Sequence, residues 1–593
     1  MMRINAGWAV ALTLLLAGCS NNGGGDGPVV ETFQNPPEIK SVNGELRTTF
    51  SVAAATFKVD GQTVTSAVYN GKYIPPVLRL RPGDTLYLDL DNRSAEQTNI
   101  HYHGLNVSPR INADGTVSDN IFVTVDPGAR LNYRVAIPSI HNPGLYWFHT
   151  HRHELAERQV MGGLSGGLVI DGVLDPFPQL QGITERVMLL KDIQITPQGT
   201  VPDNIDTSAP SIRTVNGLTN PTLTIKPGET QFLRIANVGA DIYYRIKLDG
   251  HKFYELARDG NRRSQLVETD ELLLPPASRS EVLIQGGRIG YYTMRALAFD
   301  TGPAGDSYGE STLATLVSQG KPQTPISLAL VMPVVEDYRM LPVARKRTIT
   351  FDESADGNTF YVDSGDGPKQ FDANRIDSTI VVGTVEEWTV LNATQELHVF
   401  HIHQTDFQVT ERNGVPQPFV GHQDNVNVDF APTAASPPGQ VKVLIDFRDP
   451  IIVGKFVYHC HILEHEDGGM MAVAEVVPPV AVTARSLVTR VADVVGNTLG
   501  REQKPIDRET EERTERTLNA LQSGSFCTTG RAAKAGATKP PRPSPPAPEP
   551  AQQLFSVLPD DPGSGRQNRQ DIAAGPGAPG IRHQLMSGSG SLK

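Results

Sequence analysis

One segment occurs three times in this chain of 593 residues, at intervals the size of a domain. Each copy alternates apolar and polar residues and ends in an asparagine, and these asparagines lie 145 and 155 residues apart. Alternation with a period of two is typical of a strand that buries one face. The repeat therefore predicts three consecutive β-domains, with copies at residues 76–92, 221–237 and 378–392.

Turn-forming residues separate the short alternating runs throughout the chain. It contains 55 glycines and 45 prolines, and no long helical pattern occurs before about residue 480. This punctuation favours an all-β class built from sandwiches. The C-terminal extension should be partly helical, and its Ala-, Pro-, Gly- and Ser-rich composition predicts disorder from about residue 528. The expected boundaries are a leader at 1–18, a linker at 19–40, domains at 41–178, 179–325 and 326–480, and the extension at 481–593.

The most informative chemistry lies where one cysteine stands between two histidines. Cys460 is flanked by His459 and His461 and is followed by His465 and Met470. A thiolate, an imidazole and a weak thioether are the ligands of a blue-copper electron-transfer site. Because alternate side chains of a strand face opposite ways, the flanking histidines should point away from the cysteine. One short strand would then serve two metal centres, and the alternative is a buried free cysteine beside two incidental histidines.

Histidines spaced two residues apart form four separate pairs among the 15 histidines, and His153 follows the second pair at the same spacing. This spacing places both imidazoles on the same face of a strand. A single pair is more often two solvated surface histidines, but four pairs beside aromatic or β-branched residues predict a metal cluster. The pairs are His101/His103, His149/His151, His401/His403 and His459/His461.

A second repeat indicates which domains bind metal. The segments 144–149, 290–295 and 454–459 each begin with glycine and share the same interval. The first and third end in histidine, whereas the middle copy has Arg295 there and Leu297 two residues later. We therefore expect the first and third domains to share the metal cluster and the middle domain to be a spacer.

These motifs resemble the four copper motifs of the multicopper oxidases, a family that includes bacterial laccases and metallo-oxidases. The resemblance covers about residues 40–478, and the motifs follow the family's order. It implies cupredoxin-like Greek-key β-sandwich domains and four copper ions: one of type 1, one of type 2 and a type 3 pair. The implied ligands are His398, Cys460 and His465 with axial Met470 for type 1, His101 and His401 for type 2, and His103, His149, His151, His403, His459 and His461 for type 3.

The resemblance also implies an activity, the one-electron oxidation of phenols or aromatic amines coupled to the reduction of dioxygen to water. A metallo-oxidase of Cu(I), Fe(II) or Mn(II) serving metal tolerance is the alternative. The scattered arrangement of the ten methionines differs from the methionine-rich inserts of specialised cuprous oxidases. A non-catalytic copper-binding cupredoxin protein is less favoured, because relatives that keep the fold as structural or cell-division proteins lose several of these histidines.

Oxygen reduction consumes protons, so acidic groups are expected near the cluster. Glu466 matches a proton-relay acid in the bacterial branch of the family, and Asp119 is the second candidate, with Asp114 as its alternative. Each can equally be an ordinary loop carboxylate. An axial thioether from Met470 predicts a modest type 1 potential, and Met471 would replace it if the register shifted by one.

The N-terminus has the pattern of an exported lipoprotein. One early charge, Arg3, precedes an apolar run at residues 8–16, and Leu16-Ala-Gly-Cys19 resembles a bacterial lipobox. The run is too short to span a bilayer as a helix. We expect cleavage before Cys19, lipid attachment to its thiol, and a location in the cell envelope, at the periplasmic face of the outer membrane or the cell surface. The alternative is a plain secretory peptide.

Charge and cysteine content restrict the partners. A formal net charge of -12 argues against nucleic acid. The three cysteines, Cys19, Cys460 and Cys527, leave no disulfide within the mature catalytic body if the first is lipidated and the second binds copper. We expect a monomer whose partners are dioxygen, a small phenolic or metal-ion donor, and a membrane reached only through the lipid.

Overall fold

Strands make up nearly all of the regular structure. The computed structural model describes residues 31–479 apart from 204, 207, 208 and 434, and this part contains 34 strands and two α-helices. The all-β prediction is therefore confirmed. No helix among these residues is long and apolar enough to cross a membrane. The predicted leader, Cys19, Cys527 and the extension at 481–593 lie outside the described residues.

The first stretch of chain forms two sheets and one short helix. Its elements are β1 (Glu38–Lys40), β2 (Glu45–Val59), β3 (Gln62–Tyr69), β4 (Val77–Leu80), β5 (Thr85–Asn92), β6 (His101–His103), β7 (Arg130–Ala136), β8 (Gly144–His149), α1 (Ala156–Gly162) and β9 (Ser165–Ile170). The strand orders are β1-β4-β9-β8-β6 and β3-β2-β5-β7. The histidine-bearing strands β6 and β8 thus pair at one edge of the five-stranded sheet.

The second stretch begins after a 3-10 turn at Pro178–Leu180. Its strands are β10 (Thr184–Ile193), β11 (Ile212–Val215), β12 (Thr222–Ile225), β13 (Thr230–Asn237), β14 (Tyr244–Leu248), β15 (Phe253–Arg258), β16 (Asn261–Thr269), β17 (Glu271–Leu274), β18 (Arg279–Gln285), β19 (Gly290–Leu297), β20 (Phe299–Asp300), β21 (Ser307–Tyr308) and β22 (Ser311–Ser318). They form sheets in the orders β11-β10-β13-β18-β15-β16 and β12-β22-β19-β14-β17, with β20-β21 as a separate hairpin.

The third stretch carries the cysteine strand and a short helix after it. Its elements are β23 (Val343–Glu353), β24 (Phe360–Asp363), β25 (Pro368–Lys369), β26 (Ser378–Val381), β27 (Thr384–Asn392), β28 (His398–Ile402), β29 (Phe407–Arg412), β30 (Val415–Pro416), β31 (Asn425–Val428), β32 (Gly439–Phe447), β33 (Gly454–Cys460), α2 (Leu463–Asp467) and β34 (Met471–Val477), with 3-10 turns at Tyr338–Met340 and Pro450–Ile452. The sheet orders are β25-β24-β23-β27-β32-β29-β30 and β26-β34-β33-β28-β31.

The three repeated asparagines occupy the same structural position. Strands β5, β13 and β27 each end at one of them, Asn92, Asn237 or Asn392, and each side chain is fully buried. In each case the amide donates to two backbone carbonyls and its oxygen accepts a nearby backbone N–H. A buried amide needs such partners, because an unsatisfied polar group costs about 1–3 kcal/mol. The repeat therefore reflects a turn that locks the end of one strand in each domain.

The first and second stretches share a buried apolar seam. Leu145 and Trp147 of β8 pack with Val187 and Leu189 of β10 in one hydrophobic cluster. Trp147 is fully buried. Burying such side chains contributes about 1.5–3 kcal/mol each. The seam fixes β8, whose last residue is His149, against the neighbouring domain.

Candidate metal centre

The structure gathers the predicted ligands into four buried groups. Within each group the potential ligand atoms lie within 4.8 Å of one another. Three of the groups contain only histidines and contact one another through their rings, and the fourth contains the cysteine. The groups are His101/His103/His401, His103/His149/His461, His151/His403/His459 and His398/Cys460/His465.

Each histidine pair serves more than one group, which spacing alone does not reveal. His101 and His103 lie within β6, whereas the other three pairs straddle the end of a strand. Strand pairing then places His101 opposite His149, and His401 opposite His459. The first and third domains thus each supply two pairs to one cluster, and no described residue of the second domain belongs to a group.

Free nitrogen atoms show that the cluster fits metal ions. The Nδ1 atom of His101 lies 3.0 Å from Asp119 Oδ1, and those of His149 and His401 lie 2.8 Å from the carbonyls of Thr150 and Asp424. The Nε2 atoms of the same three histidines are buried without a partner among the described residues. An imidazole that donates from one nitrogen presents a lone pair on the other, as metal-binding histidines do.

Nitrogen atoms also face one another without a group between them. His459 Nε2 lies 3.4 Å from His151 Nε2 and 3.2 Å from His403 Nε2. His461 Nε2 lies 3.2 Å from His103 Nδ1. These contacts bring lone pairs together, which is favourable when they share a cation. The donor set is suited to copper, since imidazole is one of its preferred ligands.

The cysteine group has the composition of a blue-copper site. Cys460 Sγ lies 3.6 Å from the Nδ1 atoms of both His398 and His465, which are 3.0 Å apart. The far nitrogen atoms are held by the protein: His398 Nε2 lies 2.9 Å from Thr394 Oγ1, and His465 Nε2 lies 3.2 Å from Glu396 Oε1. Two imidazoles and one sulfur around a common point match the trigonal His₂Cys arrangement.

The two neighbouring methionines pack on different sides of the strand. Met470 is fully buried in the same hydrophobic cluster as Cys460, and its backbone bonds to both Cys460 and His465. Met471 packs instead with Ile121 and Val457. This packing favours Met470 over Met471 as the axial ligand.

Burial keeps the imidazoles neutral. It lowers the pKa of all ten grouped histidines below the ordinary value, to about 3 for His149 and His465 and about 4 for His459. Burial also raises the pKa of the Cys460 thiol. Neutral imidazole is the metal-binding form, whereas the thiol proton must be displaced by the metal.

Glu466 lies against the cluster with unused hydrogen-bonding capacity. Its side chain is fully buried, 3.2 Å from Nδ1 of both His151 and His459. Neither contact is a hydrogen bond, so both carboxylate oxygens lack a hydrogen-bond partner among the described residues. Burial, followed by the charge of Asp467, raises the pKa of Glu466 well above its ordinary value. A buried carboxyl beside the cluster, whose protonated form is favoured by burial, is equipped to hold and release a proton.

Asp119 also reaches the cluster, but its oxygens are occupied. Oδ1 accepts from His101 Nδ1 and from the Tyr102 backbone at 3.0 Å, and Oδ2 accepts from Gln404 Nε2 at 2.6 Å. Burial raises its pKa to about 7. The contacts show that Asp119 orients His101. Asp114 instead lies on an exposed turn and bonds to Thr116, which removes the support for it as a cluster acid.

The second domain reaches the cluster indirectly, through an ion pair that sequence reasoning missed. Arg279 at the start of β18 forms a two-pronged ion pair with Asp424, with both N–O distances 2.7 Å. The Asp424 backbone carbonyl in turn bonds to His401. The expected spacer thus takes part in the environment of the metal centre. No local motif marks these residues, which are 145 positions apart in the sequence.

A pocket of about 690 Å³ opens beside the cysteine group. His465, which is 4% exposed, lines it together with Phe360, whose ring stacks on the imidazole at 4.4 Å. No lysine or arginine among the described residues lines this pocket. Its acidic lining residues are Asp306, Asp352, Glu353, Asp356, Glu396 and Glu464.

Comparison with known proteins agrees with this geometry. Three family models, each described as multicopper oxidase, match residues 51–173, 147–321 and 318–480. The multicopper oxidase Mco of Staphylococcus haemolyticus is 27% identical over 416 residues, which cover 68% of this chain and 82% of that protein. The cell division protein FtsP of Escherichia coli is 26% identical over 425 residues, covering 68% of this chain and 83% of that one.

A solved structure shows the same architecture. The multicopper oxidase of Campylobacter jejuni, described as a metallo-oxidase, has 25% sequence identity and a TM-score of 0.63, covering 75% of this chain and 95% of that one. The matched family models together extend from residue 51 to residue 480 and include all four groups of ligand atoms. The chain therefore belongs to the multicopper oxidase family, whose cofactor is copper.

Proposed function

We propose that the chain oxidises small donors one electron at a time at a type 1 site and reduces dioxygen to water at a cluster of three coppers. The bound copper ions would accept electrons singly and deliver four of them to dioxygen. The main support for this proposal is the position of Cys460. Its sulfur belongs to one group of ligand atoms, while the adjacent His459 and His461 belong to two others. Electrons leaving the first site need cross only a few covalent bonds.

The groups of atoms support a specific assignment of ligands. His103, His149 and His461 would hold one type 3 ion, and His151, His403 and His459 the other. The type 1 ligands would be His398, Cys460 and His465 with axial Met470, and the type 2 ligands His101 and His401.

Two carboxyl groups would serve the cluster differently. Glu466 has both oxygens without a hydrogen-bond partner among the described residues and would carry protons to the reduction site. Asp119 is held by the ring nitrogen of His101, a backbone N–H and an amide, and would mainly orient that ligand. Exchanging each for its amide separates these roles, because only the loss of a carrier should slow proton delivery while all coppers stay bound.

The acidic pocket at His465 bears on the choice of donor. Phenols are mostly neutral at pH 7, whereas metal ions are cationic, and several carboxylates around the entry to the type 1 site attract cations. This favours the metallo-oxidase alternative, with Cu(I), Fe(II) or Mn(II) as donor, over a phenol oxidase. Aromatic amines are compared with phenols and metal ions in the experiment below. The similarity to the Campylobacter jejuni protein, a metallo-oxidase, is consistent with this preference.

Oxygen uptake measured with the copper-loaded chain tests the activity and ranks the donors. The panel comprises a neutral phenol, an aromatic amine, Cu(I), Fe(II) and Mn(II), at low and high ionic strength. Replacing Asp306 and Asp352 by their amides should lower kcat/KM for cationic donors by about fivefold per charge removed at low salt. Phenol turnover should not change. Asp89→Asn removes an exposed carboxylate on β5 as the matched control.

Equal effects on phenol and metal-ion oxidation would contradict the role of pocket charge. A four-copper preparation that consumes no oxygen with any donor would contradict oxidase function itself. It would leave a structural role, such as the cell division suggested by the name of the FtsP relatives, as the better explanation. The complete set of four ligand groups argues against that role, since a structural protein needs no such set.

We also propose that the chain is a lipoprotein of the cell envelope, lipidated at Cys19. The support is the lipobox-like sequence at residues 16–19. Mass spectrometry of the protein purified from membranes should show a diacylated or triacylated Cys19. A soluble product with an unmodified N-terminus at another residue would favour a plain secretory peptide.

A further inference from the structure

The second domain, which supplies no grouped ligand among its described residues, places the buried side chain of Arg279 next to a residue that contacts the histidine cluster. The Arg279 guanidinium is fully buried, and so is the Asp424 carboxylate to which it is paired. The same guanidinium donates to the carbonyl of Leu145 at 3.1 Å and to that of Ala277 at 3.2 Å. Leu145 lies in the first domain, Arg279 in the second and Asp424 in the third. One side chain therefore links all three domains beside the cluster.

Asp424 contacts two histidines that share one ligand group, His103 and His401, and His103 also belongs to a second group. Its backbone carbonyl accepts from His401 Nδ1 at 2.8 Å, which leaves Nε2 of that ring for metal. Its carboxylate oxygen Oδ1 lies 3.4 Å from His103 Nε2. The other nitrogen of His103, Nδ1, faces the cluster, 3.2 Å from His461 Nε2. His103 thus presents Nδ1 to metal, whereas His401 presents Nε2. Asp424 contacts the other nitrogen of each ring.

The surrounding contacts leave the carboxylate as the acceptor. The Asn425 side-chain amide donates to the same Oδ1 at 2.5 Å, and Arg279 donates to both oxygens. The amide nitrogen of Asn425 also lies 3.3 Å from His103 Nε2. Because Nδ1 of His103 faces the cluster, a ring that binds metal there carries its hydrogen on Nε2, where the Asp424 carboxylate is the acceptor.

The backbone around the pair is built to hold it. Ala277 adopts a left-handed φ of 71°, which is costly for a residue with a Cβ, and its carbonyl accepts from Arg279. Gly104, which follows His103, has φ +84°, and a Cβ there would lie 2.4 Å from Arg279 Nη2 and 2.6 Å from Asp424 Oδ2. The chain therefore approaches the pair as closely as a glycine allows.

We propose that Arg279 and Asp424 form a positioning pair through which the second domain determines which nitrogen of His103 and His401 binds copper. Neither residue touches a reacting atom. The pair acts through the rings it orients, so its loss should disturb the three-copper cluster and spare the type 1 site. The proposal rests on the ligand assignment proposed above.

Asp424→Asn and Arg279→Met test the pair in the full copper-loaded chain. Asp424→Asn keeps the backbone carbonyl on His401 but removes the negative charge and one of the two acceptor oxygens, which leaves His103 and Arg279 to compete for a single neutral acceptor. We expect copper retention at the cluster, measured against a chelator, to fall about 10- to 100-fold in both variants. The near-ultraviolet absorption of the two type 3 copper ions and the electron paramagnetic resonance signal of the type 2 ion should change. The blue absorption of the type 1 site should be retained. Arg279→Lys keeps the positive charge but cannot form the two-pronged ion pair, so its loss of copper should be intermediate.

Arg263→Met is the matched control. Arg263 forms a buried pair with Glu255 in the same domain, with N–O distances of 2.7 and 2.6 Å, and has no contact with a grouped histidine. It should lose stability yet keep every copper signal. Unchanged copper retention and spectra in Asp424→Asn and Arg279→Met would overturn the proposal. An equal loss of the blue signal and the cluster signals in both variants would also overturn it, because the pair would then stabilise only the fold. These readouts are spectroscopic, so a wild-type chain without oxidase turnover would refute the proposed function but not this inference.

Discussion

Gly104→Ala is the substitution whose cost can be worked most directly from the structure. An alanine there must adopt the left-handed region at φ +84°, which costs roughly 1–2 kcal/mol. Its Cβ would also stand 2.4 Å from Arg279 Nη2 and 2.6 Å from Asp424 Oδ2, two fully buried atoms that form a fixed ion pair. Such overpacking adds about 1–3 kcal/mol. The expected loss of stability is therefore about 2–5 kcal/mol.

Gly115→Ala separates the two contributions. Gly115 has nearly the same φ, +82°, but nothing lies within 4 Å of a Cβ built on it. It should lose only the conformational part, about 1–2 kcal/mol. Urea denaturation of the metal-free chains gives both free energies of unfolding without contributions from copper. Equal destabilisation of the two variants would refute the idea that Gly104 is required by its approach to the Arg279–Asp424 pair.

Three further substitutions test other parts of the molecule. Glu466→Gln should slow reoxidation of the reduced enzyme by oxygen about 100-fold in stopped-flow experiments, with four coppers retained, and an unchanged rate would rule out a proton-carrying role. Met470→Leu should raise the type 1 potential in a redox titration of the blue band, and an unchanged potential would argue against axial ligation. Lys191, whose pKa burial lowers to about 7 from 10.5, is neutral in the folded chain over a range in which the unfolded chain holds a proton. Stability of the metal-free wild type should therefore rise with pH between those values, by up to about 1.4 kcal/mol per unit relative to Lys191→Met, and a flat difference would contradict the shift.

The sequence predicted what is encoded locally. The three repeats led to the all-β class, and the buried role of Asn92 and its counterparts explains why the repeats exist. The ligand chemistry around Cys460 is also local, because strand geometry alone sends neighbouring side chains to opposite faces.

What the sequence could not supply depends on contacts between domains. Spacing identifies histidine pairs but not the groups they form. Strand pairing sets two pairs side by side within the first and the third domain, and each all-histidine group then combines residues of both domains. Arg295 and Leu297 stand where the other domains have histidines, which predicts that the middle domain supplies no metal ligand. This pattern says nothing about other contacts of that domain with the metal centre. The contribution of Arg279 arises from a partner in another domain and has no signature in its own segment.

Together, the four ligand groups should make the chain a four-electron oxygen reductase. The ratio of donor electrons consumed to dioxygen consumed by the copper-loaded chain tests this directly, with peroxide assayed in parallel. We expect about four electrons for each dioxygen and no accumulating peroxide, and removal of copper should abolish uptake. A ratio near two with peroxide as the product, or no uptake by a four-copper preparation, would contradict this function.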